Sequence, residues 1–284
     1  MLREYYRLAK PGIIYGNVMT TLAAFLYASR WQFPPVFLIE TLLGIGFVIA
    51  SACVFNNYFD RELDVKMERT KRRALATGTI PILNALIYAS VLGIVGFALL
   101  ALQVNPLTAL VALLGFVFYV LLYTFSKRSS PLGTIVGSVS GAVPIVVGYT
   151  AVANRLDITA LILFLILVVW QMPHFYAIAI RRLEEYRAAN VPVLPLMRGI
   201  RTTKLHMLAY IVAYLVATSA LTLLGRAGYV YLAIVLLSGI AWLIVAIAGF
   251  SAQDDRAWAK RLFFFSLAIL LSFSVALALG SVLP

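Results

Sequence analysis

Asn56, Asp60 and Asp64 recur at intervals of four in the run Asn56-Asn57-Tyr58-Phe59-Asp60-Arg61-Glu62-Leu63-Asp64. On a helix such positions share one face, about 6 Å per step, so the three side chains form a ladder of oxygen donors. Two carboxylates side by side repel, and a hard divalent cation relieves the repulsion by accepting oxygen from both. Mg²⁺ takes one or two carboxylates and completes its shell with water and substrate phosphates, so the ladder suggests a diphosphate held through metal. The same spacing also fits an ordinary helix-end salt-bridge network, with Arg61, Lys66 and Arg69 balancing the acids.

Cations follow closely. The stretch Glu68-Arg69-Thr70-Lys71-Arg72-Arg73 packs four of them into five residues, suited to meet a diphosphate from the side opposite the metal. A second basic pair closes Tyr123-Thr124-Phe125-Ser126-Lys127-Arg128. A positive-inside stop signal accounts equally well for the first group, and snorkelling of long side chains at an interface for the second.

The elements that position these residues are membrane helices. Of 284 residues, 63% are hydrophobic and 12% charged, and the mean hydropathy is +0.97. Such a balance excludes ordinary soluble domains. Nine apolar runs are legible, at 13–29, 36–55, 82–102, 106–125, 132–153, 158–180, 205–224, 229–250 and 262–280. Lipid cannot satisfy free backbone amides, so each run must be a helix. The expected fold class is all-α: a polytopic membrane protein with nine transmembrane helices in a bundle and a polar cytoplasmic cap. The first run is retained as a helix rather than read as a signal peptide, because eight more follow and no small-residue cleavage site stands out. The lone Cys53 excludes a disulfide framework and a Cys-rich metal site.

A net charge of +12 reflects loops facing an anionic leaflet rather than nucleic acid. Twenty of the 23 Lys and Arg fall in connections on the amino-terminal side of the bundle and three on the other. The amino terminus is therefore expected in the cytoplasm and the carboxyl terminus on the far side. Nine of the eleven acids share the basic side. The two longest connections, 56–81 and 181–204, hold six of those acids. Gly133, Gly137 and Gly141 recur at spacing four, for close helix approach or, alternatively, room for a flat ligand.

The run from Asn56 to Thr70, N-N-x-x-D-R-x-x-D-x-x-M-x-R-T, together with Tyr123 to Arg128, resembles the UbiA superfamily of intramembrane prenyltransferases. Three further stretches are similar to its haem-farnesylating subgroup: Lys10-Pro11-Gly12, Trp170 to Ala177 (WQMPHFYA) and Ala188 to Gly199 (AANVPVLPLMRG). The resemblance runs from Lys10 through the ninth span. It implies a single UbiA-like prenyltransferase domain over 1–284, in the inner membrane, that transfers a farnesyl group from farnesyl diphosphate to a vinyl group of haem B. Water is added, and haem O and diphosphate result. It further implies Mg²⁺ as cofactor and a haem A synthase or cytochrome oxidase assembly factor as partner.

Asn56, Asp60 and Asp64 match the family's first metal-diphosphate motif, with Asp60 and Asp64 catalytic. Arg69, Arg73, Tyr123, Lys127 and Arg128 match positions that contact diphosphate. The family's paired aspartates after the sixth span are missing, so Glu184 and Glu185 are the expected ligands of a second metal, with Glu185 standing where the subgroup commonly has Asp. His174 lies deep inside a span, after Pro173, whereas His206 stands at the start of the seventh run. His174 is expected to ligate haem iron or to take the proton from the attacking water; a hydrogen-bonded core histidine is the plainer alternative. Prenylation of an aromatic or quinone precursor by the same fold is the nearest rival. A secondary transporter is a rival of another class, but its mid-bilayer polar residues are not evident.

Overall fold

A computed structural model describes residues 1–282; residues 283 and 284, the end of the expected domain and of its far-side terminus, lie outside the described residues. Among the described residues nine helices are long and apolar enough to cross a membrane, and no strand occurs. They are α1 (Pro11–Ser29), α2 (Pro35–Asp64), α3 (Ile82–Val104), α4 (Pro106–Ser129), α5 (Gly133–Ala153), α6 (Ile158–Arg181), α7 (Leu194–Leu223), α8 (Tyr229–Ser251) and α9 (Asp255–Leu279). The chain is a multi-pass integral membrane protein of the expected all-α class.

The helix ends follow local chemistry. Proline opens α1, α2 and α4, where its missing N–H costs nothing. Asn105, Asp157 and Asp254 accept backbone N–H bonds in the first turns of α4, α6 and α9, which satisfies amides the helix leaves orphaned.

Three boundaries differ most from the apolar runs. Helix α2 continues past residue 55 to Asp64, because its last turns bury Asn56, Asp60 and Asp64 against the bundle. Helix α7 starts at Leu194 rather than 205 and is broken at Gly199, whose φ of +81° suits glycine alone. Helix α9 starts at Asp255 rather than 262.

Helix α5 is the most enclosed span, with 72% of its apolar window buried, and it packs against α1, α4 and α6. Lipid offers no hydrophobic push between helices, so close approach of small residues supplies the packing. A Cβ added at Gly148 would lie 2.1 Å from the Thr21 carbonyl oxygen, and one at Gly141 would lie 2.1 Å from Gln171 Oε1. The Gly133, Gly137 and Gly141 series thus serves contact, with side chains or backbone of α4 and α6 filling the space a methyl would need. The connections after α2 and α6 meet over one end of the bundle. There Met67 packs on Ala189 and Val191, with Leu63, Tyr186 and Val193 around them, and the expected polar cap gains a small apolar keystone.

Candidate active site

Beneath that keystone lies a cavity of about 390 Å³, bounded by α2, α4, α5 and α6 and by the two connections. Asn56, Asp60, Asp64, Arg69, Arg73, Tyr123, Lys127 and His174 all line it. The ladder on α2 is real: Asn56, Asp60 and Asp64 are 2%, 4% and 4% exposed.

Carboxylates this deep require counter-charges. Lys127 Nζ donates to Asp60 Oδ2, and Arg128 Nη2 donates to Asp60 Oδ1 at 3.3 Å. Arg73 Nη1 donates to both Asp64 oxygens, at 2.9 and 2.8 Å. These cations therefore bond the acids directly rather than waiting on the far side of a ligand. Arg128 is 40% exposed and reaches Asp60 from outside the cavity wall. Arg69 lines the cavity with no ion pair among the described residues.

The sequence reading missed three cavity residues, Lys10, Tyr119 and Tyr186. Lys10 Nζ donates to Asn56 Oδ1 at 2.7 Å, while Asn56 Nδ2 donates to Thr124 Oγ1 at 3.1 Å. Burial, reinforced by the Arg73 and Lys127 charges and partly offset by Cys53 and Asp60, lowers the Lys10 ammonium to about 8. Lys10-Pro11-Gly12 was the available signal.

Tyr119 and Tyr123 occupy a π-helical stretch of α4, Phe118–Tyr123, and stack with centroids 5.6 Å apart at 18°. Wider turns of this kind concentrate at functional sites. Tyr186 closes the roof, its phenol pushed up to about 12 mainly by burial.

His174 stands on the α6 wall. Its ring stacks on Trp170 (5.1 Å, 23°) and lies 4.8 Å from Phe263 of α9. Its Nδ1 meets Ser266 Oγ at 2.8 Å, and the Trp170 indole donates to the Ser266 carbonyl at 2.9 Å. The one hydroxyl proton of Ser266 has the Phe263 carbonyl at 2.6 Å to receive it. A Ser266 proton given to that carbonyl makes Nδ1 the donor and leaves the lone pair on Nε2. Nothing in the sequence singled out Ser266.

The structure does not bring Glu184 and Glu185 to this cavity. Glu184 pairs with Arg187 at 2.6 Å and Glu185 with Arg182 at 2.5 Å, and both border a separate hollow shared with Asp254 and Asp255. The short helix Leu183–Ala188 turns Tyr186 inward, so its neighbours point elsewhere. Among the described residues no three His, Cys, Asp or Glu side chains are grouped to hold a metal by themselves.

Beside the polar cavity, deeper in the bundle, lies an apolar chamber of about 90 Å³. Ile13, Tyr119 and Gly137 border both spaces, while Ile45, Val48, Ile49 and Ala112 line the deeper part.

Nine spanning helices around a buried vestibule of carboxylates and cations, with an apolar chamber beside it, mark the class as an intramembrane enzyme. The UbiA prenyltransferase family profile matches residues 17–268, and the chain belongs to that family. It is 49% identical to the protoheme IX farnesyltransferase of Sodalis glossinidius (strain morsitans), over 100% of this chain and 96% of the relative. The fold is similar to that of a digeranylgeranylglyceryl phosphate synthase structure, with TM-score 0.82 at 19% identity over 99% and 98% of the two chains. It is also similar to a UbiA homolog from Archaeoglobus fulgidus bound to GPP and Mg²⁺, with TM-score 0.69 at 15% identity over 97% and 99%.

Proposed function

We propose that this protein transfers a farnesyl group from farnesyl diphosphate to a vinyl group of haem B, with addition of water, giving haem O and diphosphate. Full-length identity of 49% to a protoheme IX farnesyltransferase supports that choice of substrates. The observation that carries the reading is the adjacency of the two spaces: the charged vestibule holding Asp60 and Asp64 shares Ile13, Tyr119 and Gly137 with an apolar chamber.

Mg²⁺ fits the vestibule by donor chemistry. The α2 ladder offers only hard oxygens from two carboxylates and an amide, a set too small to complete an octahedron without phosphate and water. Asn56, Asp60 and Asp64 are the proposed ligands. When bound, Mg²⁺ would supply positive charge against the departing diphosphate.

The protein's own residues do the rest. Arg69, Arg73, Lys127 and Arg128 carry the charge-assisted donors for diphosphate oxygens, and Tyr123 offers a hydroxyl beside them. Lys127 and Arg73 now bond carboxylates, so substrate binding exchanges one anion for another without a long side-chain movement. The chamber holds the fifteen-carbon tail and keeps water from the allylic cation as the C–O bond breaks. The cation bonds the haem vinyl group, water attacks the new porphyrin-side cation, and the water proton leaves to Nε2 of His174.

The cavity end of the bundle carries the basic loops, so the site faces the cytoplasm, with the amino terminus there and the carboxyl terminus opposite. The inner membrane is the proposed location, and residues 1–284 form one domain. Product haem O would pass to a haem A synthase or a cytochrome oxidase assembly partner. Purified protein in detergent, given farnesyl diphosphate and Mg²⁺ with either haem B or hydroxybenzoate, tests the assignment. A more hydrophobic porphyrin is expected by chromatography; prenylation of hydroxybenzoate alone would reject it.

A further inference from the structure

The face opposite the active site carries three of the 23 Lys and Arg: Arg30, Arg155 and Arg226. They come from three separate connections, α1–α2, α5–α6 and α7–α8, yet all three line one cavity of about 590 Å³. The far side of a membrane protein is depleted of cations, so gathering all of them at one hollow calls for an anion.

The hollow is a built feature. The Tyr27 hydroxyl donates to the Arg226 carbonyl at 2.8 Å, tying α1 to the α7–α8 connection. The one carboxylate nearby, Asp157, is already engaged. It accepts from Tyr149 Oη at 2.8 Å, from Arg155 Nε at 2.9 Å and from the first amides of α6. Arg30 and Arg226 have no carboxylate within 4.0 Å among the described residues, which leaves two guanidinium forks for a ligand.

Depth identifies the ligand's source. The cavity sits where α1, α5, α6, α7, α8 and α9 reach the membrane surface, and exposed Tyr229 stands at its edge, as aromatic rings do at headgroup level. Thr159 and Ser281 also line it, and guanidinium forks match phosphate oxygens. We propose that this hollow binds the phosphate of an anionic phospholipid from the leaflet opposite the active site, clamping the far ends of six helices.

The experiment is thermal unfolding of the full chain in neutral detergent, titrated with short-chain phosphatidylglycerol, with phosphatidylcholine or with inorganic phosphate. The variant is Arg30→Asn with Arg226→Gln. Asparagine tolerates the left-handed backbone of residue 30, where φ is +49°, and Arg155 is kept because it holds Asp157. Phosphatidylglycerol is expected to raise the midpoint where phosphatidylcholine does not, and the double variant is expected to need at least about tenfold more of it. Farnesyl transfer by the variant should persist, since its residues lie at the other end of the bundle.

Should the variant fail to fold, the wild-type preference for phosphatidylglycerol must still weaken as salt rises. A salt-independent preference, an undiminished shift in the double variant, or no preference at all would overturn the proposal. Equal stabilisation by inorganic phosphate would overturn the lipid assignment and leave a free-phosphate site.

Discussion

One helix, α2, builds two unlike environments. Its last turns carry Asn56, Asp60 and Asp64 into the vestibule, and its middle turns carry Ile45, Val48 and Ile49 into the chamber. In the upper region the shape is held by charge. Asp60 and Asp64 are tolerated inside the bundle because Lys127, Arg128 and Arg73 bond them, and each of those partners is also a candidate for the substrate. In the lower region the shape is held by contact, with glycines of α5 letting neighbours approach where a methyl would collide. The upper half can exchange partners and the lower half cannot, which suits the proposed exchange of carboxylate for diphosphate above and the proposed hold on a hydrocarbon tail below.

The comparison breaks most sharply at Asp60. Asp60→Asn keeps size and burial but removes the charge, and it should cut kcat on the order of 10²–10³-fold. Circular dichroism should show the helices intact, and loss of Mg²⁺-dependent haem O formation is the readout. Full activity would mean that the upper half is structural after all.

His174 lies on the vestibule wall, and His174→Ala should cost about 10²-fold in turnover as the loss of a general base. Ser266→Ala should cost less, roughly tenfold, because it frees the ring without removing it; the one-pKa-unit scale of such tautomer and orientation effects sets that size. Its mark should be a shifted pH profile with an unchanged KM for farnesyl diphosphate. A shift in KM alone would make Ser266 a packing residue.

Ile49→Phe probes the lower half. The larger ring should raise KM for farnesyl diphosphate about tenfold, an effect of 1–3 kcal/mol from overfilling, while a ten-carbon allylic diphosphate is still used. Equal loss for both chain lengths would show that the chamber does not hold the tail.

The smallest effect is expected at Lys10. Its folded-state pKa of about 8 lies below the usual lysine value, so in the free enzyme its charge is lost from about pH 8 upward. kcat/KM for the diphosphate should decline a few-fold above that pH, and Lys10→Met should flatten the decline. Stability runs the opposite way. A lysine whose folded pKa is lowered penalises the charged folded form, so its contribution improves as pH rises from the folded value toward the unfolded one.

Much of this was legible in the residues alone. Nine spans, their helical nature and the segregation of charge follow from the cost of exposing amides and charges to hydrocarbon, a local property of each stretch. The i, i+4, i+8 ladder is equally local, and α2 realises it by continuing past the apolar run to Asp64.

What stayed hidden depends on which elements touch. Glu184 and Glu185 looked like metal ligands by position, yet the turn of Leu183–Ala188 presents Tyr186 instead. Lys10 gained its place from the start of α1 packing beside Asn56, and Ser266 from α9 lying against α6. The gathering of Arg30, Arg155 and Arg226 has the same origin. The sequence determined the helices and the segregation of charge between their two ends because solvent acts on each segment separately; the tertiary structure alone decided which polar groups meet, because helix order around the bundle is a property of contacts far apart in the chain.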